Sequence, residues 1–140
     1  MQWGIAYYQA QDGSVPAADF LAACPNKVAA NILAVLEAVR AAPPPRFSGG
    51  GKWEAMHGTM SGYYEIRATG PGRMHHRLFC RLENGTPEQL TAFGFDRPQI
   101  VAISGMVKKN ATLFTDADYR GQVRDLGDDY LSRIPRPVAK

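Results

Sequence analysis

Residues 63–82, YYEIRATGPGRMHHRLFCRL, constrain the fold of this chain more than any other stretch. Side chains two apart on a strand share a face, and two runs of strict alternation flank Gly70, Pro71 and Gly72. On the first run Tyr64, Ile66 and Ala68 share one side, and Tyr63, Glu65 and Arg67 the other. On the second, Met74, His76, Leu78, Cys80 and Leu82 make a mostly apolar side, opposite Arg73, His75, Arg77, Phe79 and Arg81. The pattern predicts an antiparallel hairpin with one side in the core. A slip of one residue would drive the cationic side inward, so odd positions pair with odd positions. A turn centred on Pro71 satisfies this rule and sets Arg67 opposite His75 and Glu65 opposite Arg77. An opposed Glu–Arg pair stabilises a sheet by about 0.2–1 kcal/mol. The other cations on that side need solvent, acidic side chains from elsewhere, or a polyanion.

The rest of the chain supplies elements to cover the apolar side. Trp3, Ile5 and Tyr7 alternate with polar or small residues, as a first strand does. Ser14 is placed to cap a helix with Pro16 in its first turn and Ala17, Phe20, Leu21 and Cys24 on its inner face. Asn26 is placed to cap a second helix, over residues 27–42, whose Val28, Ile32, Val35, Leu36 and Val39 recur at helical spacing. Residues 46–52, RFSGGGK, form a link without phosphate-loop spacing. Residues 86–99 make a long connection containing PEQL, with Phe93 and Phe95 expected to tuck beneath it. Residues 100–107, IVAISGMV, are apolar on both sides, as an interior strand is. Thr115 and Asp118 form a capping-box variant at the head of a last helix. That helix carries Tyr119, Val123, Leu126 and Tyr130 on one apolar stripe, and Gly121 and Gly127 weaken it.

The expected architecture is α+β, in the order β-α-α-β-β-β-α, with helices on one sheet face and the cationic face open. A chain of 140 residues is most simply one domain, residues 1–140. Its ordered core is expected over 1–134, with 135–140 a tail beyond Pro135. Net charge is +3, a mild lean towards an anionic partner. Cys24 and Cys80 form no C-x-x-C pair and read as core residues of a reducing compartment. No apolar run reaches the length of a membrane span, and the first residues lack a signal-peptide layout. A cytoplasmic protein is expected. His57, His75 and His76 have no cysteine partners at zinc spacing, so neither a metal nor another cofactor is expected.

The order and spacing of GYYEIRA, HHRLFC, SGMVKKN and a capped last helix resemble the HigB-like toxins of the RelE/ParE superfamily, which include phage-derived members. The segment FLAACPNKVAANILAVLEAV fits the same plan, and the resemblance spans residues 3–131. It implies the toxin of a type II toxin-antitoxin system, an endoribonuclease (mRNA interferase) that binds RNA and cleaves mRNA on the ribosome. It also implies a cognate antitoxin, typically a helix-turn-helix DNA-binding protein. Arg67 and Arg77 fall on the arginines of the paired strands, and Lys108 and Lys109 on the basic pair that closes the last strand. Under this reading Arg77, Arg67, Lys108, Lys109 and Glu65 are the candidate catalytic residues. Arg73, His75 and Arg81 are candidates for RNA binding. Some relatives place His-Tyr or Asp-Tyr-His where this chain has Lys109-Asn110. The superfamily also holds gyrase-directed toxins that are not nucleases. A non-catalytic binder or an inactive prophage remnant is therefore the alternative.

Overall fold

A computed structural model describes residues 2–43, 51–109 and 114–139. Most of the link 46–52 therefore lies outside the described residues. The fold is α+β, built on a five-stranded mixed sheet of order β1-β5-β4-β3-β2. The strands are β1 (Gly4–Tyr7), β2 (Trp53–Ala55), β3 (Tyr63–Gly70), β4 (Met74–Glu83) and β5 (Gln99–Lys109). β1 runs parallel to β5, and the remaining pairs are antiparallel. The interior strand expected at residues 100–107 is β5, between β1 and β4.

The apolar side of the hairpin is buried as its pattern demands. Ile66, Leu78 and Cys80 pack with Trp53, Ile100 and Ala102 against two helices, α1 (Pro16–Ala23) and α2 (Asn26–Ala41). The buried residues of α2 are Val28, Ile32, Val35, Leu36 and Val39, its whole apolar stripe. Neither helix has the side-chain cap expected for it. The Ser14 amide instead donates to Asp12 Oδ1, and Asn26 falls inside the first turn of α2, behind Pro25.

The hairpin register differs from a turn centred on Pro71. Gly70 pairs with Met74, so the turn is Pro71–Arg73, centred on Gly72. Gly72 and Arg73 both adopt left-handed dihedrals, at φ 69° and 60°. Proline cannot supply that geometry, and its fixed negative φ suits the start of the turn. The shift is by two residues, so the faces survive and the partners change. Arg67 lies opposite Arg77, and Glu65 opposite Phe79.

The cationic face is not open along its length. α4 (Asp116–Tyr119), a π-helical turn (Arg120–Arg124) and α5 (Asp125–Ser132) follow one another with helical dihedrals throughout. They lie over that face. Val123 and Tyr130 pack there with Tyr63, Phe79, Val101, Ile103 and Met106. Gly127 makes the approach possible, because a methyl group in its place would overlap the Tyr63 hydroxyl. A β-bulge shifts the β4–β5 register between Phe79 and Cys80. Ile103 packs against the last helix, and the neighbouring Ser104 hydroxyl donates to the Gln122 carbonyl at 2.6 Å on the same side. Beyond the bulge Met106 and Lys108 continue that side.

Two further segments are ordered. Residues 86–99 contain α3 (Pro87–Phe93), with a full Thr86/Gln89 capping box. Phe95 is buried beneath it, and Phe93 lies under the Arg136 guanidinium, 3.8 Å from its ring centre. Residues 135–139, expected as a tail, instead form a strap along β1. The Gln9 amide donates to Pro137 O at 2.9 Å, and the Ala139 amide to Tyr7 O at 2.8 Å. The strap is anchored by Arg136, whose Nε donates to Glu83 Oε1 at 2.9 Å with both side chains nearly buried.

Candidate functional site

The last helix covers the half of the hairpin face that carries Tyr63 and Phe79, and the half nearer the turn holds the charged residues. Arg67 and Arg77 are directly opposed there. Like charges so placed repel, and the two arginines meet this differently. Arg67 is clamped. Its Nε donates to Glu65 Oε1 at 2.6 Å, and its Nη2 lies 3.2 Å from Glu54 Oε2. Glu65 is only 6% exposed, and the arginine it bonds is Arg67 rather than Arg77. Burial lowers the Arg67 pKa, but the bond and charge of Glu65, with Glu54 behind, outweigh it and raise the value.

Arg77 has no such clamp. Its Nη1 donates to the His76 carbonyl at 3.0 Å, and among the described residues no carboxylate lies within ion-pair distance. Burial, with Arg67 adding to it against Glu65, lowers its pKa. Arginine stays protonated in proteins all the same. The result is a half-buried guanidinium without a bonded carboxylate among the described residues, an arrangement that favours an incoming anion.

Tyr119 completes the group. Sequence reading places it on the buried stripe of the last helix, and its ring does pack edge-on against Phe79 and Phe114. Burial raises its pKa first and Glu65 second, while Arg77 and Arg67 pull it down. The hydroxyl therefore sits in the field of all three groups and keeps its proton near neutral pH. The one sequence signal for it was its position in the first turn after the Thr115 cap, beside Asp118.

The remaining candidates divide. Lys108 pairs across β4 with His75, on the Arg77 side. Its Nζ donates to Asp118 Oδ2 at 2.9 Å and lies 5.5 Å from the Phe114 ring centre. The Asp118 pKa is held at about 2, by the Thr115 amide first and then by Lys108. Lys109 is adjacent on the strand, opposite Met74, and so projects from the other side. Arg73 is exposed at the turn. Arg81 lies at the covered end, with its guanidinium 4.7 Å from the Tyr63 ring centre. Arg67, Arg77, His75 and Lys108 are thus brought to one half-face with Glu65, whereas Lys109 and Arg81 are not.

A cleft of about 480 Å3 opens beside these residues, lined by Arg67, Arg77 and His75 and by Lys52 and Asn31 from outside the hairpin. No cluster of three or more metal-ligating side chains occurs among the described residues. No described helix is long and apolar enough to cross a membrane. No family model matches the chain, and neither does any curated protein or any solved structure.

Proposed function

We propose that this protein is the toxin of a type II toxin-antitoxin system, a HigB-like member of the RelE/ParE superfamily that cleaves mRNA on the ribosome. The observation that carries this reading is Arg77, a half-buried cation without a carboxylate partner among the described residues, set beside a second arginine and a protonated tyrosine. The motif order in the sequence supports the same conclusion.

In this reading a ribose 2′-oxygen attacks the adjacent phosphorus and the bond to the 5′-oxygen breaks. The products are a 2′,3′-cyclic phosphate and a 5′-hydroxyl. Arg77 takes the charge that grows on the phosphoryl oxygens, and Arg67, oriented by Glu65 and Glu54, holds the phosphate from the other strand. Tyr119 donates a proton to the leaving 5′-oxygen. His75, facing the same side, accepts the proton of the 2′-hydroxyl. Lys108, fixed by Asp118, adds positive potential. A co-encoded antitoxin, of the helix-turn-helix kind in the family resembled, neutralises the protein by covering this half-face.

The gyrase-directed alternative draws support from one feature. Arg67 and Lys108 are already satisfied by carboxylates, as a binding surface without catalysis tolerates. The two readings separate on purified components. The nuclease reading requires RNA fragments ending in 2′,3′-cyclic phosphate from programmed ribosomes. Intact RNA together with inhibited DNA supercoiling supports the alternative.

A further inference from the structure

The cleft beside Arg67 and Arg77 does not stop at the hairpin. A second hollow, of about 270 Å3, shares Asn31 and Thr69 with it and continues past Lys27 to Pro71. Together they form a groove between the first half of α2 and the free end of β3. β2 pairs with β3 as far as Ile66 and the Arg67 amide donates to the Lys52 carbonyl, so no described strand flanks residues 68–70 on that side. From Arg67 to Pro71 the groove is about 13 Å long, at 3.3 Å per strand residue. Lys27 and Asn31 stand one helical turn apart on its far wall, and both are exposed.

The chemistry of the walls selects the occupant. Neither hollow is lined by an aspartate or a glutamate, although Glu54 and Glu65 lie close by, bonded to Arg67. Lys27, Lys52, Arg67 and Arg77 supply four cations, and Asn31 and Thr69 supply neutral hydrogen-bonding groups. A track that is cationic from end to end and continuous with the phosphate site suits a single-stranded polyanion. We propose that this groove binds single-stranded RNA flanking the phosphate held by Arg77, with Lys27 and Lys52 on its backbone and Asn31 against a base edge. The proposal rests on the nuclease reading above and adds a second, α2-borne subsite to it.

The test is equilibrium binding of a fluorescent single-stranded RNA of about 12 nucleotides over a salt series, read by anisotropy with no cleavage required. Each phosphate neutralised on a single strand adds a slope of about −0.7 in log K against log salt. The pair Lys27→Glu and Lys52→Glu should weaken binding about tenfold or more and flatten the slope by about 1.4. Asn31→Arg, an added cation midway, should tighten binding and steepen the slope by about 0.7. Arg97→Glu, at the opposite end of β5, is the control for net charge and should leave the slope unchanged. Equal affinities and slopes for the wild type and the double variant overturn the inference. So does tight binding of an acidic extended peptide with RNA affinity unaltered, which assigns the groove to a protein strand. RNA bound through Lys27 and Lys52 but never cut retains the groove and removes the nuclease. RNA cut equally well by the double variant, with equal binding, does the reverse.

Discussion

Arg77 and Arg81 lie on the same strand, on the same face, four residues apart, and meet opposite fates. Arg81 is laid over the Tyr63 ring, at the end where the last helix closes on the sheet. Arg77 is half-buried at the other end, without a carboxylate among the described residues. The difference comes from what lies above each one. Tyr63 and Phe79 draw the helix down on one half of the face, and the helix then shields that half from ligands. A cation's usefulness to an anion therefore depends less on its strand position than on the cover over it. The face is two regions, a packed one and a reactive one, joined along β4.

The packed region should be the less tolerant of change. Glu83→Ala leaves Arg136 nearly buried and unpaired, removes the acceptor of the Tyr130 hydroxyl and frees the strap on β1. Loss of one partner of a buried pair costs about 3–5 kcal/mol, to be read as a lowered urea midpoint. Gly127→Ala places a methyl against the Tyr63 hydroxyl and should cost about 1–3 kcal/mol by overpacking. The same substitution pushes the Tyr63 ring out from under the Arg81 guanidinium. If both variants unfold at the wild-type midpoint, the closed region does not hold the helix.

A smaller effect lies in acid. The Asp116 pKa is pulled down to about 2, by the Arg124 bond first and Thr59 next, and that of Asp118 likewise by Thr115 and Lys108. Their ordinary value is 3.8, so the unfolded chain binds protons first as pH falls. The stabilisation is present above about pH 4 and is lost between about pH 4 and 2. Asp116→Asn and Asp118→Asn should flatten that limb of a stability–pH curve, less so in high salt because both carboxylates face solvent. An unchanged limb would show that the bonds of Asp116 to Arg124 and Thr59 and of Asp118 to Lys108 do not hold the head of the last helix.

Much of this was legible in the sequence. Alternation alone identified both faces of β3 and β4, and the 3.6-residue spacing identified every buried residue of α2. Arg77 was visible as a mid-strand cation. Other features were not. The register depended on two consecutive left-handed residues, and only one of them is glycine. The cover over the second face was signalled by Phe79 and Tyr63, apolar residues among charges, but alternation does not say which element answers them. Tyr119 looked like core because helical spacing cannot tell a packed ring from its protruding hydroxyl. The bulge at Ile103 also lay beyond pattern reading, because one extra residue reverses which side Lys108 takes.

Single-turnover cleavage of mRNA on programmed ribosomes, with Arg77→Ala and Arg81→Ala measured beside the wild type at saturating protein, tests the division most directly. Removal of a preorganised donor to the transition state lowers the rate by about 10²–10³, or roughly 2.7–4 kcal/mol. Arg77→Ala should show that loss while retaining the wild-type urea midpoint, and Arg81→Ala should cleave at close to the wild-type rate. Equal rates for the two variants, or wild-type cleavage by Arg77→Ala, would contradict the account.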